Sequence, residues 1–96
     1  MAEPSAQLDD ADVLGWVVSQ RRGFYTQEGS DPKVVVVAMA VARYAGGGPY
    51  YLFKCDADWE VFGDFDCESV AEAQGIAASH AGGEALVWHT VADSGE

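Results

Sequence analysis

Ninety-six residues suffice for one domain, and an apolar content of 49% can fill a core, so a formal charge of −11 does not by itself signal disorder. A surface this acidic repels nucleic acid and anionic membrane and attracts basic partners. The longest apolar run, Val34 to Ala42, has nine residues, against the roughly 20 of a membrane-spanning helix.

Taken in chain order, residues 1–11 are polar, acidic and contain a proline, which reads as a flexible acidic tail. A short helix after Ser5, with Leu8, Ala11 and Leu14 on one face, is the alternative; Gly15 and the Val17-Val18 pair oppose its extension. The opening residues lack the basic region and apolar core of a secretion signal, so a cytoplasmic setting is expected. One α+β domain then spans residues 12–92, and 93–96 form a short second tail. Val13 to Ser19 carries the β-branched and aromatic content of a first strand. Gln20 to Pro32 reads as an irregular excursion, with room for a short strand at Phe24–Thr26.

Lys33 to Tyr44 is apolar at both parities, as in a central strand covered on both faces. Its Met39–Arg43 end has some helical character, but four consecutive valines favour a strand. Ala45-Gly46-Gly47-Gly48-Pro49 closes a hairpin loop. Tyr50–Asp56 and Glu60–Asp66 form the next two strands around the turn Asp56-Ala57-Asp58-Trp59. A pairing of Cys55 with Glu60 puts Tyr50, Leu52, Lys54, Val61, Gly63 and Phe65 on the core side. Tyr51, Phe53, Cys55, Glu60, Phe62 and Asp64 share the other. Ser69-Val70-Ala71-Glu72 is a capping box that opens a helix over Val70–Ala81, stopped at Gly82-Gly83. Val70, Ala73, Ile76, Ala77 and Ala81 form its buried stripe. Glu84 to Ala92 alternates as a last strand. The expected architecture is an antiparallel sheet of four to five strands with one helix packed on it, ordered β-β-β-β-α-β.

The charge is unevenly spread. From Cys55 to Glu96 there are ten acidic residues and no Lys or Arg. Six of the ten, Asp56, Asp58, Glu60, Asp64, Asp66 and Glu68, are interleaved with Trp59, Phe62 and Phe65.

Residues 50–90 resemble a group of small uncharacterised bacterial proteins. The resemblance rests on Tyr51-Leu52-Phe53-Lys54-Cys55-Asp56-Ala57-Asp58-Trp59, Gly63-Asp64, Glu68-Ser69-Val70-Ala71-Glu72-Ala73 and Trp88. It implies an immunity-like or other partner-binding role. The Ala-rich helix departs from the group by lacking its further charges.

Chemical constellations are sparse. Asp56-x-Asp58-x-Glu60 supplies the first three ligand positions of a calcium loop, but Val61 stands where that loop needs Gly and Cys67 where it needs Glu. Cys55, Cys67, His80 and His89 lack the close spacings of zinc loops. Cys67 precedes a helix N-terminus, yet Asp66 and Glu68 flank it and oppose a thiolate. Reduced thiols are expected, because the assumed pairing keeps Cys55 and Cys67 apart. His80 and His89 read as structural. No cofactor, metal or catalytic residue is assigned.

Binding is expected at Asp58, Glu60, Phe62, Asp64, Tyr51 and Phe53, where aromatics ringed by acids suit Lys or Arg from a partner. The partner would be a basic protein, such as a toxin or nucleic-acid-binding protein, with no direct contact to nucleic acid or membrane. Alternatively, a second layer covers these aromatics, either the N-terminal segment or the mate in a homodimer. The runner-up from another class is a small enzyme or ligand-binding domain with a pocket near His89 and Trp88.

Overall fold

The computed structural model describes residues 3–26 and 34–90. Its elements are β1 (Gln7–Leu8), β2 (Ala11–Val18), β3 (Tyr25–Thr26), β4 (Val35–Val36), β5 (Ala38–Arg43), β6 (Tyr50–Cys55), β7 (Val61–Cys67), α1 (Val70–Ser79) and β8 (His89–Thr90). The class is α+β. An antiparallel six-stranded sheet runs β1-β2-β5-β6-β7, with β8 also pairing β2, while β3 and β4 form a separate two-stranded sheet. The expected Glu84–Ala92 strand is represented by His89–Thr90; residues 91–96, including the short acidic tail, lie outside the described residues.

The sheet begins earlier than the composition suggests. Leu8 pairs with Ala11 across Asp9 and Asp10, whose φ angles are 48° and 67°. Two positive φ values match the right-handed twist of a two-residue hairpin, and Asp tolerates that backbone better than most residues. Residues 7–11 therefore form a strand–turn–strand hairpin, neither tail nor helix.

The long valine run divides at Val37. Its N–H donates to the Cys55 carbonyl and its own carbonyl accepts from Ser19 N–H, so the backbone stays satisfied there. On its N-terminal side β4 leaves the main sheet to pair with β3. On its C-terminal side β5 lies between β2 and β6 and is buried from Ala38 to Ala42.

The β6–β7 hairpin corrects the expected register. The Asp56 Oδ1 accepts the N–H groups of Asp58 at 2.8 Å and Glu60 at 3.0 Å, and Trp59 takes a φ of 63°. The Asp56 N–H bonds the Glu60 carbonyl, so the loop holds three residues rather than four. Cys55 consequently faces Val61, not Glu60, and a bulge follows, after which Lys54 pairs with Gly63 and Leu52 with Phe65. One extra residue turns Phe62 toward the helix side and Val61 toward the opposite one. Cys67 now lies within the strand, opposite Tyr50.

Ser69 caps α1 by accepting the Glu72 N–H at 3.0 Å, and the helix ends at Ser79 with His80 as its C-cap. Two cores result. On the helix side Ala73, Ala77 and Ala81 meet Val17, Met39, Val41, Leu52 and Cys67. On the far side Ala38, Ala40, Ala42, Phe53 and Cys55 are joined by Leu8, Ala11 and Val13, with Trp16, Tyr51 and Trp59 at the margin. The N-terminal hairpin thus contributes to the second core, and that contribution needs no second copy of the chain.

Candidate functional site

The cross-strand pairs Tyr51–Asp66 and Phe53–Asp64 set aromatic and carboxylate side by side on the far face of β6 and β7. Asp64 and Asp66 are exposed and Tyr51 is half-buried. Tyr44, 40% exposed, meets Tyr51 edge-on at 5.5 Å, and Tyr51 stacks on Phe53 at 6.0 Å. The Tyr51 hydroxyl is pushed above its ordinary pKa, first by desolvation, then by Asp66, Tyr44 and Asp64. It stays a neutral hydrogen-bond donor beside two carboxylates.

This patch is narrower than the sequence suggests at one end and wider at the other. Tyr51 and Asp64 come together as expected. Asp58 and Glu60 are exposed at the hairpin turn, where Asp58 and Glu60 N–H groups are held by Asp56. Phe53 is 1% exposed and belongs to the core, and Phe62 packs on the helix side, so neither presents a ring to this surface. Asp66 and Tyr44 take their place. Asp66 was legible as part of the acidic stretch; Tyr44 was not, because it sits beyond the glycine loop and reaches Tyr51 only through the β5–β6 pairing.

The histidines lie apart. His89 stacks on Trp16 with centroids 4.1 Å apart and planes 16° from parallel, and Trp59 meets Trp16 edge-on at 5.7 Å. A cleft of about 480 Å³ lined by Glu3, Ser5, Val13, Trp16, His89 and Thr90 opens beside the stack. Trp88 packs toward the helix-side core, so the Trp88–His89 pair expected at one pocket is split across the sheet. His80 lies 5.2 Å from the Phe65 ring and 5.8 Å from Tyr25, beside a second, smaller cleft.

The thiols and the turn carboxylates have structural work. Cys55 and Cys67 are buried, free and in different cores on opposite faces. Burial, with Asp56 and Asp9 nearby, pushes the Cys55 thiol up to about 12. Cys67 is also raised, first by burial, then by Glu72, with Asp66 adding to this against a lowering backbone hydrogen bond at Leu52. Neither is a ready nucleophile. Among the described residues no group of three His, Cys, Asp or Glu converges so as to hold a metal ion.

Lys54 and Glu84 were missed as organisers. Lys54 is 8% exposed, with Nζ 5.0 Å from the Phe65 ring and 6.0 Å from Tyr25. Gly63 makes this possible, since a Cβ there would stand 2.5 Å from Lys54 Cε. Glu84 accepts from Ser19 Oγ at 2.8 Å and from Gln20 N–H at 2.7 Å. Ser19 Oγ in turn accepts from the N–H groups of Arg21 and Gly23, both at 3.1 Å, which fixes the exit from β2. A contact across 65 positions leaves no local sequence signal.

No protein-family model, curated protein or solved structure matches this chain. Among the described residues no helix is long and apolar enough to cross a membrane. Fold and site together define a small acidic α+β domain with an aromatic-acidic strand edge.

Proposed function

We propose that this protein is a non-catalytic binding module that engages a basic protein through Asp64, Asp66, Tyr51 and Tyr44, with Asp58 and Glu60 extending the field toward the turn. The observation that carries the reading is Tyr51 set between two exposed carboxylates and against Tyr44. Carboxylates steer a cationic partner, and the rings supply cation–π faces once water is excluded. An immunity-like role in the cytoplasm, occluding a toxin or nucleic-acid-binding protein sterically and electrostatically, is the form that the resemblance over residues 50–90 implies.

Affinity purification with mass spectrometry would supply the partner, and binding kinetics would test the face. Asp64→Lys with Asp66→Lys should slow association and flatten its dependence on salt, because exposed charges are screened over ~10 Å at 0.1 M. Tyr51→Ala should speed dissociation, with a loss on the order of 2 kcal/mol if the ring is central. Unchanged kinetics in both variants would reduce this face to a solvated surface.

A ligand-binding domain is the second reading, favoured by the cleft of about 480 Å³ beside Trp16 and His89. Saturable amide shifts at Trp16 and His89 in a small-molecule screen, absent at Tyr51, would favour it.

A further inference from the structure

We propose that the basic partner docks as an extended strand on the open edge of β7, with Lys or Arg at alternate positions. The proposal rests on the acidic-face reading and specifies how that face is used. Among the described residues β7 ends the sheet and has a strand on one side only.

The direction of its backbone groups follows from two hydrogen bonds. The Cys55 carbonyl accepts from Val37 on the β5 side, and Asp56 N–H donates to Glu60 on the β7 side. Main-chain groups alternate along a strand, so Lys54, Leu52 and Tyr50 address β7, and they pair with Gly63, Phe65 and Cys67. The intervening Asp64 and Asp66 therefore point their N–H and C=O groups outward, away from β6. The same two residues carry the exposed carboxylates on the Tyr51 face.

An added strand would exchange hydrogen bonds with Asp64 and Asp66, and the two residues opposite them would project onto the Tyr51 face. Those positions, two apart, are where a cation gains most. The residue between them projects to the other face, over half-buried Phe65, and should be apolar. A second copy is a poor occupant, because antiparallel pairing of two β7 edges would set Asp64 and Asp66 against each other, and like charges directly opposite destabilise a sheet. Acids on an edge also block aggregation, which is the competing explanation for their presence.

The full chain, labelled with ¹⁵N, would be titrated with three amidated peptides of the same three residue types in the same numbers. The first is Thr-Lys-Val-Lys-Val-Lys-Thr, the second is Thr-Lys-Lys-Val-Val-Lys-Thr, in which no two lysines stand two apart, and the third is the first with methyl groups on the backbone nitrogens of its lysines. The alternating peptide should bind about tenfold more tightly than either other peptide, because the third loses one or two net hydrogen bonds and the second can place only one cation at the two positions opposite Asp64 and Asp66. Its binding should protect the Asp64 and Asp66 amides from exchange and should weaken in Asp64→Asn and Asp66→Asn. Equal affinity for all three peptides, still lowered by those substitutions, overturns strand addition and leaves the acidic face standing. Absence of binding by any of them at low salt, or binding indifferent to both substitutions, overturns both, leaving the carboxylates as edge protection only.

Discussion

The helix-covered face of the sheet and its opposite face achieve burial by inverse arrangements of volume. On the helix side the sheet contributes bulk through Val17, Met39, Val41 and Leu52, and the helix answers with Ala73 and Ala77, joined by Ala81 just beyond its end. On the other side β5 contributes only Ala38, Ala40 and Ala42, and bulk comes from Phe53, Leu8, Trp16 and Trp59 around them. Large residues set against small ones let the two sides of each interface interdigitate. The difference lies in what closes each face. A continuous helix seals the first, while the second is closed by a hairpin, a turn and aromatic rings, and it grades at β7 into the exposed Tyr51 patch.

The largest test of this comparison is Phe53→Ala. If the second face is a true core, urea unfolding should show a loss of about 3–5 kcal/mol, matching or exceeding the about 2–5 kcal/mol of Met39→Ala on the helix side. A loss well below that of Met39→Ala would make the second face a cover rather than a core. Overpacking comes next. Ala40→Leu and Ala77→Leu should each cost about 1–3 kcal/mol, because each alanine is fully buried opposite bulk. Tolerance of the first alone would show that the aromatic cover can move.

Each core holds one buried thiol that alkaline stability can report on. The folded Cys55 thiol titrates near 12 against an ordinary 9.0. Its stabilisation is complete below pH 9.0 and is lost as pH rises toward about 12, since the unfolded chain then releases its proton first. The slope from this group should approach about 1.4 kcal/mol per pH unit, measured by urea titrations at stepped pH. Cys55→Ala should remove that contribution, and part of the slope should persist because Cys67 is raised as well. The smallest effect is Ser69→Ala, expected to cost about 1 kcal/mol through loss of the helix cap. Native-state hydrogen exchange should then show lower protection at Glu72 and Ala73 but unchanged protection at Phe53.

The helix was the most legible element. Its cap, its alanine stripe and its glycine stop are all local, and they place it within two residues of Val70–Ser79. Two-sided burial of β5 was equally plain from valine and alanine at both parities. The hairpin at Asp9-Asp10 was hidden because acidic residues in a polar stretch look the same whether they turn the chain or trail from it. The candidate site was half legible. Tyr51 and Asp64 share a face under any register of the same parity, whereas Phe62 changed face when the bulge added one residue.

Composition, charge and periodicity by themselves determined an acidic α+β domain, a strand buried on both sides, a capped helix and an acidic-aromatic hairpin, because each depends on residues near one another in the chain. Tertiary structure alone decided which aromatics are core and which are surface, that Glu84 clamps Ser19, and that Lys54 lies over Gly63 between aromatic rings. Those outcomes depend on a three-residue loop, a bulge and contacts between distant segments. In a strand, a shift of one position exchanges the two faces, so the final placement of every side chain waits on the assembled sheet.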